Sequence, residues 1–309
     1  MTYEFDPKHR DEITKCFGYA FMDALPKSLA DYSERWGLSE FRLVEYYSVN
    51  CLFYCKSAEH GDCVLKIFGC EYKWFIDEIC VIRELDGKYR YVRAYESDEG
   101  QGALLLERIK PGTTLKQELS LERRIEIFAD IWKQSQIAFN GLSKYKAYLQ
   151  MTEEAAVKQW ENGENQELRK AARLMTSVCG DLYSRYPKRV LLHADLHGDN
   201  LLKNENGDYV IVDPHAKAGP PICDLGRFIA NEFGDAVKND RDNVTMRVVS
   251  RLSELLKLPY IDITRAFFVD ITLMTCWDAE NVLPNLDGVR FAEMMLAQLN
   301  DNEAYRSGH

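Results

Sequence analysis

Three residues have the types and the spacing for chemistry on phosphate esters. In VLLHADLHGDNLL, residues 190–202, Asp195 is followed five positions later by Asn200. Thirteen positions beyond Asn200, at the end of the apolar run Tyr209-Val210-Ile211-Val212, stands Asp213. Phosphoryl transfer needs such a set. One carboxylate orients the attacking hydroxyl and takes its proton, while an amide and a second carboxylate hold Mg²⁺ on the phosphates. On this reading Asp195 is the catalytic carboxylate and Asn200 and Asp213 are the metal ligands. A loop aspartate that merely made a turn would leave the register with Asn200 and Asp213 unexplained. His193 and His197 lie four apart, as helical zinc ligands do, but they bracket a loop aspartate and no regular helix is expected there. His193 is expected to pack under the loop, and His197 to touch the γ-phosphate or the acceptor.

A framework able to carry these residues is legible around them. Residues 10 to 36 read as two helices broken near Pro26. Alternating, aromatic-rich strands follow at 41–48, 51–57 and 63–68, with a turn at Glu59-His60-Gly61-Asp62. Phe75, Ile79 and Ile82 mark a helix over 71–85, and two further strands lie near 89–95 and 102–107. After Pro111-Gly112 helices dominate, beginning with the amphipathic stripe Leu121, Ile125, Phe128, Ile131 and Trp132. Residues 189–214 read as short strands and loops, and helices near 222–233, 241–257, 260–282 and 288–300 follow. The expected fold class is α+β: a helical extension over 1–39, a five-stranded lobe with one helix over 40–107, and a helical lobe over 108–309.

The pattern HxDLHxxN, followed by Asp-Pro where protein kinases have Asp-Phe-Gly, resembles the aminoglycoside phosphotransferase branch of the kinase-like superfamily. DALPKSLADYSERWGL (23–38), LLLERIKPGTTL (104–115) and VDPHAKAGPPICDLGRF (212–228) look like the streptomycin kinase group, the aminoglycoside and hydroxyurea resistance kinases. The resemblance implies a protein-kinase-like bilobal fold, ATP as donor with GTP left open, and Mg²⁺. It implies that Lys66, in CVLKIF, reaches the inner phosphates. The lysine's partner would be Glu78 on the following helix, in preference to Glu71. The backbone carbonyl of Glu107 and the N–H of Ile109 would meet the adenine edge. Asp224, in CDLGRF, would tie the catalytic loop from below. His197 takes the place where protein kinases carry a lysine. The phosphate-covering loop departs from the protein-kinase pattern, since Tyr47-Ser48-Val49-Asn50 contains no glycine. Ser48 and Asn50 are candidate donors to the phosphates, and an ordinary hairpin turn is the alternative. For the acceptor, LMTCWDAEN (273–281) resembles a Trp-x-x-Glu stretch of the streptomycin kinases. Trp277 would then be an apolar wall and Asp278 and Glu280 would bind cationic groups, with Glu232 and Asp235 as weaker candidates.

Composition narrows the partners. With 46% hydrophobic residues in 309 the chain can bury a sizeable core, and the formal charge of −10 disfavours nucleic acid while suiting a cationic small molecule. No secretory signal or membrane span is read in it, so a cytoplasmic enzyme is the default expectation. Nine cysteines are expected to be reduced, and the five that cluster, Cys51, Cys55, Cys63, Cys70 and Cys80, are spaced unlike a zinc site and are expected to be buried thiols. Two acceptor classes stay open: an aminocyclitol such as streptomycin, implying antibiotic resistance, or an amino sugar, amino alcohol or polyol of metabolism. A non-catalytic nucleotide-binding module is the third reading, and the joint presence of Lys66, Asp195, Asn200 and Asp213 weighs against it.

Overall fold

In the computed structural model the described residues are 3–45, 49–69, 75–139, 141–280 and 282–307. They divide into two compact units: Met1–Thr113 with Leu202–Val212, and Thr114–Leu201 with Asp213–His309.

The first unit is a sheet covered by a long helix. Helix α1 (Pro7–Arg35) begins with Asp6, whose side chain accepts from the His9 N–H at 2.8 Å, and with a proline in its first turn. The break expected near Pro26 lies instead at Gly18, where φ is 83° and ψ 165°. Glycine reaches that conformation without steric cost, and it lets the chain re-enter the helix, while Pro26 is accommodated inside it. Strands β1 (Leu38–Leu43), β2 (Asn50–Ser57), β3 (Gly61–Phe68), β4 (Ala94–Asp98) and β5 (Ala103–Glu107) form an antiparallel sheet in the order β1-β2-β3-β5-β4. Helix α2 (Phe75–Leu85) is inserted after β3. A three-stranded sheet orders β6 (Pro111–Thr114), β8 (Leu201–Asn204) and β9 (Tyr209–Ile211).

Period-two alternation sorts the sheet's faces. Phe21, Met22, Leu25 and Leu29 of α1 pack in one core with Phe53, Cys63 and Leu65. Cys51 and Cys55 lie in that core too, and burial pushes each of these thiols up to about 12, so they behave as small apolar side chains. Lys66 has the opposite parity on β3.

The second unit is mostly helical: α3 (Leu121–Gln134), α4 (Tyr148–Asn162), α5 (Gln166–Arg185), α6 (Leu225–Asp235), α7 (Arg241–Leu256), α8 (Tyr260–Asp278) and α9 (Asp287–Ser307). Strands β7 (Val190–Leu192) and β10 (Lys217–Gly219) pair antiparallel, with Lys217 opposite Leu192. Helix α3 is fastened to α6 in two ways. The Phe128 and Phe228 rings stack at 3.9 Å, and Arg124 grips Glu232 with Nε and Nη2 at 2.8 and 2.7 Å. No helix among the described residues is long and apolar enough to cross a membrane.

Helix α6 approaches α8 so closely that only glycine fits at 226. A Cβ there would stand 2.3 Å from the Ala266 carbonyl oxygen and 2.7 Å from the Asp270 Cβ. Gly226→Ala should therefore cost ~1–3 kcal/mol in urea unfolding, as overpacked sites do. Gly234→Ala on the same helix, where nothing lies within 4 Å, should be neutral or slightly stabilising.

Candidate active site

The segment after β7 is shaped by one buried carboxylate. Asp224, just before α6, accepts from two consecutive backbone amides, His193 N–H at 2.9 Å and Ala194 N–H at 2.8 Å. Burial pushes this carboxyl up to about 7 against the pull of those two amides. His193 is buried, and its Nδ1 accepts from the Asp195 N–H at 3.1 Å, so it braces the turn as the sequence suggested. The bend needs left-handed backbone at non-glycine positions. Ala194, Asp213 and Ala216 have φ of 62°, 61° and 49°. Such residues persist only where their surroundings over-determine them, and they cluster at functional sites.

Asp195 emerges from this turn with 14% of its side chain exposed. Its Oδ1 lies 2.9 Å from Arg227 Nη1. Its Oδ2 lies 3.2 Å from Asn200 Nδ2, 3.5 Å from His197 Nε2 and 3.9 Å from His215 Nε2. Burial raises the Asp195 pKa, but the His197 contact and the charges of Arg227 and His215 outweigh it and hold the carboxyl well below the usual carboxylate range. His215 is shifted down, by burial first, against the pull of Asp195 and Asp213. Asp195 is thus a carboxylate kept charged beside a partly open surface.

Asn200 closes the loop on itself, its Nδ2 also donating to the Asp195 carbonyl at 2.9 Å. That commits the amide nitrogen and leaves Oδ1 without a hydrogen bond among the described residues. An amide oxygen from Asn200 and the Asp213 carboxylate are the hard donors Mg²⁺ prefers, so the residues present fit that ion. His197 Nδ1 accepts from the Asp199 N–H at 3.3 Å. This assigns the proton of a neutral ring to Nε2, directed at Asp195. The 3.2 Å approach of Asn200 Nδ2 to the same nitrogen is then a contact between donors, not a hydrogen bond.

In the first unit, Lys66 and Glu78 form a buried pair, Nζ lying 2.6 and 2.8 Å from the two carboxylate oxygens. Strand parity and the helical position of Glu78 bring them together, and a bidentate bond offsets the desolvation of both charges. Glu107 ends β5, and Ile109 is buried, its N–H having no backbone partner among the described residues. Asn50 opens β2 and is buried. Ser48 lies outside the described residues, as does Glu71.

The acceptor residues separate on inspection. Trp277, near the end of α8, has its ring 5.5 Å from the Arg227 guanidinium, which places it one side chain away from Asp195. Asp278 is exposed beside it. Glu232 is corrected: it is buried and gripped by Arg124 as described above, so its charge is spent on holding α3 to α6. Asp235 pairs with Lys116 at 2.9 Å. Glu280 is exposed and paired with Lys158 at 2.5 Å, which neutralises it as a cation receptor.

Sequence reasoning missed four residues around Asp195: His215, Arg227, Asp270 and Tyr148. Arg227 Nε lies 2.7 Å from Asp270 Oδ1, and Tyr148 donates to Asp270 Oδ2 at 2.8 Å. The available signal was Asp270 itself, a charge inside the apolar run Ala266 to Trp277, which implies a buried cation as partner.

The model of the phosphotransferase enzyme family matches residues 57–245, and the chain belongs to that family. The resemblance read from the motifs thus holds at the level of the family. A hydroxyurea phosphotransferase from Kitasatospora aureofaciens is 27% identical over 224 residues, 70% of this chain. The match spans 64% of that relative's own length. A choline kinase from Streptococcus pneumoniae superposes with a TM-score of 0.60 at 15% identity, covering 90% of this chain and 99% of its own. An aminoglycoside phosphotransferase solved with ADP and hygromycin B gives 0.59 at 14% identity, covering 89% and 97%. An ethanolamine kinase from Plasmodium vivax gives 0.58 at 14%, covering 91% and 87%. These likenesses establish the kinase-like α+β fold expected from the sequence.

If Asp224 holds the turn, Asp224→Ala should cost ~2–4 kcal/mol in chemical unfolding, because it leaves two buried amides without an acceptor. Asp224→Asn, which keeps one acceptor oxygen, should cost less in the same measurement.

Proposed function

We propose that this protein transfers the γ-phosphoryl group of ATP to a hydroxyl of a small molecule, in one in-line step. The observation that carries the reading is Asp195: a carboxylate held charged and partly exposed, in a loop that also directs the Asn200 amide. In this reaction the acceptor's O–H bond breaks and its proton passes to Asp195 as the oxygen bonds to phosphorus. The bond from that phosphorus to the bridging oxygen breaks at the same time, and ADP leaves with the electron pair. Asn200 and Asp213 would hold Mg²⁺, which neutralises phosphate charge when bound. Lys66, kept in place by Glu78, donates to the inner phosphates. Glu107 and Ile109 offer a carbonyl and an amide to the adenine. His197 orients Asp195 from the side opposite Arg227.

The acceptor is a hydroxyl compound small enough to reach Asp195 past Trp277. An aminocyclitol such as streptomycin is one reading, supported by the family, by the hydroxyurea phosphotransferase relative and by the exposed Asp278 beside Trp277. A metabolic acceptor, an amino sugar, amino alcohol or polyol, is the second. The neutralisation of Glu232 by Arg124 and of Glu280 by Lys158 favours it, since a polycation gains little from carboxylates already paired. ATP consumption with Mg²⁺ against streptomycin, hygromycin B, hydroxyurea, choline, ethanolamine and glucosamine discriminates the two.

Asp195→Ala should lower kcat by about 10²–10⁴-fold on any acceptor that is turned over, with ATP affinity nearly unchanged. A parallel loss of ATP binding would show that Asp195 is misassigned. Asp213→Ala should instead raise the Mg²⁺ and MgATP concentrations needed for half-maximal rate by at least about tenfold; an unchanged magnesium titration would remove it from the metal site.

A further inference from the structure

Arg227 links three helices to the carboxylate at the centre of the site. It lies on α6, one residue after the glycine that brings α6 against α8, and its guanidinium spans two acids. Nε goes to Asp270 on α8 at 2.7 Å, and Nη1 to Asp195 Oδ1 at 2.9 Å. Asp270 is fixed from its other oxygen by the Tyr148 hydroxyl of α4 at 2.8 Å. Tyr148 and Asp270 are each 1% exposed and Arg227 is 8% exposed. The Trp277 ring lies over the guanidinium.

If Arg227 served only to neutralise Asp270, that pair would be complete without Asp195, and the remaining nitrogens would be free to seek backbone carbonyls. Instead Nη1 is turned to Asp195, and Nη2 is buried with no hydrogen-bond partner among the described residues. A buried donor left in that state carries a cost. The guanidinium is set by its two carboxylates, not by satisfying its own donors. A planar fork held on one edge transmits its orientation to the group on the other, which a flexible ammonium does not.

We infer that Arg227 is a positioning residue for the transfer: it holds Asp195 by Oδ1 while Asn200 and His197 address Oδ2, Asp270 and Tyr148 hold Arg227, and the carboxylate so fixed receives the acceptor's proton. This rests on the proposed role of Asp195. It adds that the angle at which the acceptor is met is set from α4, α6 and α8, not from the catalytic loop alone.

The test has one arm that needs no acceptor. In a crystal structure of Arg227→Met, the Asp195 carboxylate should turn from its present orientation by more than about 0.5 Å, the tolerance of a working site. In the second arm, on whichever compound of the panel above the wild type phosphorylates, kcat of Arg227→Met should fall about 100-fold. KM for MgATP should stay within about threefold, since the lost interaction serves alignment and not nucleotide binding. Guanidinium ion added to Arg227→Ala should restore activity by at least about tenfold, a response a purely structural role would not give. An unmoved Asp195, or a folded Arg227→Met that keeps kcat within about threefold, overturns the inference. Should Arg227→Met fail to fold, Arg227→Lys carries both arms, keeping the charge and losing the fork. A wild type that phosphorylates nothing in the panel counts against the proposed function, and the crystallographic arm still decides the placement of Asp195.

Discussion

Arg227 is a guanidinium taken out of water and set between two carboxylates. A buried charge of that kind is tolerable only if its partners are close and themselves held, because removing one partner leaves an ion in a medium that solvates it poorly. Burial alone would lower the affinity of Arg227 for its proton, and the charges of Asp270 and Asp195 reverse that shift. Asp270 in turn is driven upward by burial, and Arg227 and the Tyr148 hydroxyl oppose the drive. Each member of the chain is acceptable because of the next. That mutual dependence ties α4, α6 and α8 together, at an approach of α6 to α8 that is possible because position 226 has no side chain.

The segment that carries Asp195 is held on a second line by a different kind of bond. Asp224 offers its two oxygens to consecutive amides of the turn, so the backbone at His193 and Ala194 is held from the helix that carries Arg227 three residues later. Helix α6 and the residue before it therefore grip both the main chain of this loop and the side chain of Asp195. Helix α3 holds α6 through the ring stack of Phe128 on Phe228 and through Glu232. Glu232 illustrates how an acidic residue near a site can be structural. A bidentate grip on a partly buried arginine gives more when both charges are shielded from water than an exposed carboxylate gives by waiting for a ligand.

What the sequence disclosed, and what it hid, follows from the range of the interactions. The loop residues were legible because their register is local: Asp195, Asn200 and Asp213 keep fixed intervals along one stretch of chain. The strands were legible because β3 alternates, which placed Lys66 on the face opposite Cys63 and Leu65 and made a helix carboxylate its partner. The pairing of Arg227 with Asp195 and Asp270 was not legible. It joins residues 32 and 43 positions apart, through helices whose relative approach is decided by a glycine contact that no periodicity encodes. The kink in α1 was misread for a related reason. Proline is the louder signal in a string of letters, yet the backbone bends where φ is positive, and Gly18 is where that is cheap.

The acceptor remains the part of the reaction least constrained by the fold, and the paired charges narrow it. Around Asp195 the fixed neighbours are Arg227, Asn200 and two histidines, with the Trp277 ring against Arg227, while Glu232 and Glu280 are each already paired. Arg227 is shared between Asp195 and Asp270, so these three side chains together keep one negative charge, and they do not repel a cationic group that comes near Asp195. The formal charge of −10 acts over longer distances, drawing cations toward the molecule without binding them at the reacting centre. Long-range attraction and local charge thus have the same sign, and neither sets a distance between a cationic group and the hydroxyl. What narrows the choice is pairing: Glu232 is held by Arg124 and Glu280 by Lys158, so the exposed Asp278 beside Trp277 is the carboxylate a cationic group of the proposed acceptor would meet.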